Sequence, residues 1–214
     1  MSAKTSRVKV GRNYDASRRQ ARAQEQRALT LDVAQRRFLA DGYAATTVEA
    51  IAVDAGISPA TIYKSYGGKA GLVRTLCQMA LEGSGPVPAE ERSNALRGAT
   101  GAQHVIAGWG ALRAEVSPRI SPLLLLLRDA ARDDAEAAAL YDELDRARLR
   151  RMSENAKFLF EAGYLRVGVS AATARDVLWL STSAEMFDLL VRRRGWSVAR
   201  YSQFMDDMVV AELL

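Results

Sequence analysis

The sequence predicts an all-α protein built from a three-helix, homeodomain-like helix-turn-helix domain followed by a second helical domain. Apolar residues recur at intervals of three and four along most of the chain, and Gly, Pro and Ser interrupt them at intervals. No stretch shows the period-two alternation of a half-buried strand. We expect a flexible basic arm at residues 1–14, the helix-turn-helix domain at 15–82, a Gly/Pro/Ser hinge at 83–88 and the second domain at 89–214.

Composition agrees with an ordinary globular protein. The chain has 214 residues, of which 49% are hydrophobic and 26% charged. Neither a secretory signal nor a run of about 18 apolar residues is present, and the single cysteine favours a reducing cytoplasm. Residues 1–27 hold eight cationic side chains against two acidic ones, so the excess positive charge of the chain is concentrated there. This segment is either a solvated tail or an arm that neutralises phosphates.

The helix-turn-helix is predicted from residues 46–69. Thr46 and Glu49 fit a capping box, and Gly56 is placed to end the first short helix. Ser58 and Pro59 start the next helix at once, since Ser caps well and Pro suits the first turn. In such a pair the second helix enters the major groove of DNA. Its outward side would carry Ala60, Thr61, Tyr63, Lys64 and Ser65.

The segment from Phe38 to Leu72 resembles the amino-terminal domain of the tetracycline-repressor-like (TetR) family of transcriptional regulators. The matching residues are Phe38, Gly42-Tyr43, Thr46-Thr47, Ile51-Ala52, Ala55-Gly56-Ile57-Ser58, Thr61-Ile62-Tyr63, Tyr66, Lys69 and Leu72. Two positions depart from the pattern: Gly68 replaces the usual Ser, and Gly71 lies where a charged residue is common.

The resemblance implies a set of DNA contacts. Tyr63 and Lys69 would meet phosphates, and Thr47 would add a hydroxyl and a backbone N–H. A cation in the first turn of a helix opposes the macrodipole, which favours an external partner for Lys69. The remaining candidates are Thr61, Lys64 and Ser65 at base edges, Pro59 and Ala60 in van der Waals contact, and Arg18, Arg19 and Arg22 on phosphates.

Six further helical segments are predicted beyond the second short helix. The fourth helix of the chain should span about residues 69–81 and bury Leu72, Val73, Leu76, Cys77 and Ala80. The others should span about residues 89–116, 121–133, 134–162, 170–194 and 197–214, with Ser117-Pro118 separating the first two. Gly98, Gly101, Gly108 and Gly110 should interrupt or weaken the first of these.

The second domain is the candidate site for a small molecule, because helical bundles place such sites in apolar cavities between helices. Ordinary core packing is the alternative for every candidate. Arg113 stands out, since an arginine beside an apolar helix face could meet an anionic ligand. The candidates are Trp109, Arg113, Leu124, Leu127, Tyr141, Phe158 and Trp179.

The last two predicted helices carry more apolar surface than one neighbour would cover. They form either the domain core or, as the resemblance implies, a four-helix interface in a homodimer. A dimer would hold two recognition helices about 34 Å or a multiple apart, which suits a pseudo-palindromic operator. The candidates are Leu180, Ala184, Phe187, Leu190, Phe204, Met205 and Met208.

Catalysis is not predicted, because His104 is the only histidine, and neither a metal-ligand cluster nor a phosphate-binding loop can be assembled. No cofactor is expected. The resemblance implies a DNA-binding repressor whose small-molecule effector binds the second domain, shifts the fourth helix and releases the operator. The alternatives are a regulator of the same fold without a small-molecule effector, and a helical-bundle enzyme with a DNA-binding tether.

Overall fold

The computed structural model describes the backbone of residues 11–214 and the side chains of residues 18–214, and within that range the fold is all-helical. Residues 1–10 of the predicted basic arm therefore lie outside the described residues. The α-helices are α1 (Gly11–Asp41), α2 (Val48–Ala55), α3 (Pro59–Tyr66), α4 (Lys69–Glu82), α5 (Ala89–Ala95), α6 (Ala102–Ala130), α7 (Ala135–Glu161), α8 (Ala171–Ser181), α9 (Ala184–Phe187) and α10 (Val198–Leu213). A 3-10 turn (Leu96–Gly98) follows α5, and a π-helical turn (Asp188–Arg193) follows α9.

Helix α1 is long and projects from the body of the domain. It begins at Gly11, so residues 11–14 of the expected arm are helical. Its 31 residues span about 46 Å at 1.5 Å per residue. Residues 18–25 are all exposed, and the helix meets the body from Gln26 onward, where the Gln26 side chain donates to the carbonyl of Ala55.

The caps of the two short helices α2 and α3 lie at the predicted residues, except for one cap that is displaced by one residue. Gly56 and Gly67 end α2 and α3 in the left-handed conformation, and Ser58 caps α3 by accepting from the backbone N–H of Thr61. The prediction that Thr46 caps α2 is wrong, because Thr47 does so by accepting from the N–H of Ala50. Thr46 is instead buried, and its hydroxyl donates to the carbonyl of Gly42.

The predicted break at Ser117-Pro118 is also wrong, since α6 continues through both Pro118 and Pro122. Each proline removes one backbone N–H donor and would end an isolated helix. Both prolines are half-buried, whereas Ser117 before Pro118 and Ile120 and Ser121 between the two prolines are buried. Packing of the buried face therefore maintains the helix where local propensity would end it.

The expected single helix from 170 to 194 is interrupted at Thr182. The Thr182 hydroxyl bonds to the carbonyls of Leu178 and Trp179, which ends α8. Ser183 then accepts from the N–H of Met186 and caps α9. Adjacent hydroxyl side chains thus compete with the helical backbone and turn the chain.

The largest hydrophobic core joins the two predicted domains. Leu72, Val73 and Leu76 of α4 belong to the same buried cluster as Ile120 of α6 and Leu140 of α7. The five α4 residues predicted to be buried are all buried. Among the described residues, no helix is long and apolar enough to cross a membrane. Helix α4 is therefore a shared element, packed by the helix-turn-helix on one side and by α6 and α7 on the other.

Candidate nucleic-acid interface and helical-domain cavity

Helix α3 presents a polar outer face above a single buried anchor. Ile62 is completely buried, whereas Thr61, Tyr63, Lys64 and Ser65 are exposed. Ala60 is also exposed and Pro59 is half-buried. The predicted outward face is therefore present, with side chains that could contact phosphates and base edges.

Tyr63 has the geometry expected of an outward contact. Its side chain is 52% exposed, and its ring lies over Gly68, where an added Cβ would come within 3.5 Å of the ring. Gly68 has a φ of 120° and caps α4 through its backbone alone. The hydroxyl end of Tyr63 is thus available to a partner outside the protein.

Lys69 has an internal partner that the sequence did not suggest. Its Nζ donates to the carbonyl of Tyr43 at 3.0 Å and lies 4.4 Å from the centroid of the Tyr43 ring. Burial raises the pKa of Tyr43 to about 12, so this ring stays uncharged. The argument that Lys69 needs an external anion is therefore wrong, although the half-buried ammonium retains N–H donors for a phosphate.

The other predicted DNA contacts lie beside α3 or on the projecting part of α1. Thr47 is exposed, and its hydroxyl accepts the capping bond from Ala50 while its O–H remains able to donate. Arg18, Arg19 and Arg22 are exposed along α1.

Gly71 explains one departure from the TetR pattern. A Cβ placed at Gly71 would overlap the carbonyl oxygen of Tyr66, which closes α3. The first turn of α4 therefore approaches the end of α3 more closely than any side chain would permit. Gly71 therefore fixes the position of α3 on α4.

The predicted hinge at 83–88 is fastened to the second domain. The Glu115 carboxylate on α6 accepts from the backbone N–H and hydroxyl of Ser84, and it pairs with Arg92 of α5 at 2.8 Å. Arg92 also donates to the carbonyl of Val87. The Arg92 guanidinium and the Ser84 N–H lower the pKa of Glu115 to about 2. One carboxylate thus joins α5, α6 and the segment that follows α4.

A cavity of about 460 Å³ lies between α4, α5, α6, α7, α8 and α9. This volume is in the range of small-molecule sites. Four of the seven predicted ligand residues line it, namely Trp109, Arg113, Leu124 and Tyr141. Leu81, near the end of α4, also lines it.

The other three predicted ligand residues do not line the cavity. Leu127 is completely buried in the core that α4 shares with α6 and α7. Phe158 packs edge-on between Trp109 and Tyr164. Trp179 lies under the Arg148 guanidinium, which is 4.6 Å from its ring. Sequence reasoning missed Arg148 and Arg151, which line the cavity from α7, because their positions depend on how α7 packs against α8.

The predicted dimer residues divide into exposed and buried groups. Leu180 and Phe204 are 45% and 44% exposed, and Leu190 and Met208 are half-buried. The prediction is wrong for Ala184, Phe187 and Met205, which are buried within the protomer. Phe187 packs edge-on against Tyr201, and Met205 belongs to the same cluster. Leu189, which was not among the candidates, is also 49% exposed.

Groups that could support metal or nucleophilic chemistry are sparse in the part of the chain that the structure describes. No cluster of three or more His, Cys, Asp or Glu residues there could hold a metal. His104 is exposed, and Cys77 is buried in the α4 core. Burial raises the pKa of the Cys77 thiol to about 12, which keeps it protonated at neutral pH.

Comparisons with known proteins agree with this architecture. Residues 31–76 match the family model described as bacterial regulatory proteins, tetR family. NalD, the secondary repressor of the MexAB-OprM multidrug efflux pump in Pseudomonas aeruginosa, has 17% identity and a TM-score of 0.70, covering 91% of this chain and 98% of NalD. A search of curated proteins finds no match.

Two further solved structures share the fold. A complex of SmeT with triclosan has 18% identity and a TM-score of 0.68, covering 87% of this chain and 90% of that one. The TetR-family transcriptional regulator PfmR from Thermus thermophilus has 18% identity and a TM-score of 0.58, covering 86% of this chain and 98% of that one. The protein thus has the helix-turn-helix domain and the overall fold of the TetR family of bacterial transcriptional regulators.

Proposed function

We propose that this protein is a sequence-specific transcriptional regulator that binds a pseudo-palindromic DNA operator as a homodimer. The exposed polar face of α3, anchored from behind by Ile62, carries this proposal. Thr61, Lys64 and Ser65 would read base edges, while Tyr63 and Lys69 would hold phosphates. Arg18, Arg19 and Arg22 on the projecting helix would add phosphate contacts without reading sequence.

The dimer would form through the exposed apolar side chains of the last helices. Leu180, Leu189 and Phe204 are each 44–49% exposed, although they lie beside a well-packed core. Leu190 and Met208 would contribute at the edge. To bind a palindromic operator, such a dimer would have to hold its two α3 helices about 34 Å or a multiple of that distance apart.

We further propose that the regulator is a cytoplasmic repressor that a small molecule releases from its operator. NalD is described as a repressor, and SmeT is seen in complex with triclosan, so the shared fold supports this mode of control. Helix α4 would carry the effect of the ligand from the cavity to α3, because Leu81 lines the cavity and Gly71 lies against the end of α3. An effector would act only by binding one arrangement of α4 more tightly than the other.

Selection from a library of genomic DNA fragments by the full chain, followed by fluorescence anisotropy, tests the DNA proposal. We expect a palindromic motif. Lys64→Ala should weaken operator binding by about 1–3 kcal/mol and relax the base preference at one position. Tyr63→Ala should weaken binding to all sequences. Lys157→Ala on α7 removes the same charge as Lys64→Ala, but far from α3, and should leave binding unchanged. Recovery of no common motif would contradict the proposal.

Release is tested by adding a small-molecule extract of the source cells to the operator complex. We expect dissociation of the complex. A complex that every extract fraction leaves intact would support the alternative in which the regulator has no small-molecule effector.

A further inference from the structure

The most enclosed charged side chains around the cavity are arginines. Three of the four arginines that line it are nearly enclosed, with side-chain exposures of 6% for Arg113, 18% for Arg148 and 17% for Arg151, whereas Arg150 is exposed. The acidic groups lie nearer to solvent, with exposures of 35% for Asp145, 46% for Glu185, 57% for Glu154 and 75% for Glu90. The inner wall therefore carries positive charge, while negative charge lies toward the rim.

Arg113 is the most enclosed of these cations and has unused hydrogen-bonding capacity. Its guanidinium donates to Ser181 Oγ at 3.3 Å and to the carboxylate of Asp206. Its Nε is buried without a partner among the described residues. A guanidinium has five N–H donors in a fixed fork, and leaving them unsatisfied in a low-dielectric site is costly.

Arg151 is a second enclosed cation in the cavity lining, on the α7 side. It donates to the Asn94 side-chain oxygen at 2.8 Å and to the Glu90 carbonyl at 3.1 Å, both uncharged acceptors. It shares the Glu154 carboxylate with Arg97, each at 3.4 Å, and it also lies 3.7 Å from the Glu90 carboxylate. Burial and the neighbouring Arg97 lower the pKa of Arg151 even though these two carboxylates oppose the shift.

The rest of the wall is mainly apolar. Trp109, Ile120, Leu124, Leu144 and Leu178 line the cavity and would suit a hydrocarbon or aromatic body. A cationic ligand would find no deeply buried carboxylate among the lining residues. An uncharged apolar ligand would leave the enclosed guanidiniums desolvated without a new acceptor.

We propose that the cavity accepts an organic anion, a carboxylate on an apolar body, whose charged end binds the Arg113 guanidinium. Arg151 assists from the α7 side. The assignment of this ligand as the effector rests on the proposed function, but its binding does not require DNA.

Isothermal titration of the full chain with matched probes tests the assignment. The probes are decanoate and naphthalene-2-carboxylate, each compared with its amide, which keeps the shape and removes the charge. We expect each carboxylate to bind at least about tenfold more tightly than its amide, because hydrogen bonds to charged groups are the stronger ones. Amides that bind as well as carboxylates in both shapes would overturn the proposal.

Substitutions of Arg113 and of its ion-pair partner Asp206 should change the preference for carboxylate in opposite directions. Arg113→Met should abolish the preference for carboxylate, whereas Asp206→Asn should increase it by removing the competing anion. The double variant Arg113→Met/Asp206→Asn avoids a buried unpaired carboxylate and should resemble Arg113→Met. Arg150→Met is the control, since Arg150 lines the cavity but is exposed. An equal loss in Arg150→Met, or a loss in Asp206→Asn, would contradict the proposal.

Measuring operator binding on the same samples distinguishes failure of the anion proposal from failure of the proposed DNA-binding function. Specific DNA binding without a carboxylate preference would refute the anion proposal alone. A carboxylate preference in a protein that selects no operator would refute the proposed function alone.

Discussion

Tyr63 and Lys69 were both predicted as phosphate contacts, but their surroundings differ. The outward direction of Tyr63 follows from helical spacing around the buried Ile62, so the sequence was sufficient to predict it. The contact between Lys69 and Tyr43 joins residues 26 positions apart. Only the tertiary fold brings them together, and sequence spacing carries no signal for it.

Substitution of Lys69 should therefore affect stability as well as DNA binding. Lys69→Ala removes the hydrogen bond to the Tyr43 carbonyl and the cation–π contact, and we expect a loss of about 1–2 kcal/mol in the free energy of unfolding. Tyr63→Ala should leave that quantity within about 0.5 kcal/mol of the wild type, since its side chain is exposed. Urea denaturation measures both. Equal stability of the two variants would show that the Tyr43 contact is absent in solution.

At the scale of elements, most helix termini were predictable, but helix interruptions were predictable only in part. The gap between α5 and α6 contains Gly98 and Gly101, as expected, whereas the break at Thr182 was not expected. The caps at Gly56, Ser58 and Ser197 depend on local chemistry and lie where the sequence suggested. The α2 cap was misplaced by one residue because Thr46 and Thr47 can both cap. The continuity of α6 through Pro118 depends on packing of its buried face, which a local pattern does not contain.

Gly71 should be intolerant of any side chain. Gly71→Ala places a methyl group against the Tyr66 carbonyl, a backbone atom that cannot rotate away, and we expect a cost of about 1–3 kcal/mol together with a displaced α3. Operator affinity should fall accordingly in anisotropy titrations. Gly98→Ala is the control, because an added Cβ there meets nothing within 4 Å. Normal operator binding by Gly71→Ala would mean that α3 and α4 are not held this closely.

The contacts of Glu115 with Ser84 and Arg92 should make the stability of the folded protein depend on pH in the acid range. The folded-state pKa of Glu115 is about 2, below the ordinary value of 4.5. A lowered pKa stabilises the folded state above pH 4.5, and this contribution is lost as the pH falls from about 4.5 to about 2. We expect Glu115→Gln to be less stable than the wild type at pH 6, with the difference shrinking in that acid window. A constant difference across the window would exclude ionisation of Glu115 as its source.

At the scale of the whole molecule, the all-helical two-part architecture was predictable but the placement of the cavity wall was not. Trp109, Arg113, Leu124 and Tyr141 were identified from residue type. Arg148 and Arg151 line the cavity only because α7 crosses it, and Leu127 lies outside it because α4 covers that part of α6. Helix spacing identifies a buried face without specifying which neighbour covers it.

The dimer proposal makes a prediction at this same scale. Phe204→Asp should shift sedimentation from a dimer to a monomer and weaken operator binding. The centres of apolar interfaces are depleted of charged residues, and burying an aspartate there would oppose association. Val167→Asp introduces the same charge at a fully exposed residue and should change neither. A dimer that persists in Phe204→Asp would place the interface elsewhere.

The core that α4 shares with α6 and α7 has a practical consequence for building chimeric proteins. A recombinant protein joined at residues 83–88 would give the second half a foreign α4, with unmatched side chains against Ile120 and Leu140. A junction at Gly67-Gly68, before α4, would instead keep the native α4 packed against α6 and α7 and would transfer only α1, α2 and α3. The useful boundary for exchanging parts therefore lies some sixteen residues before the apparent linker.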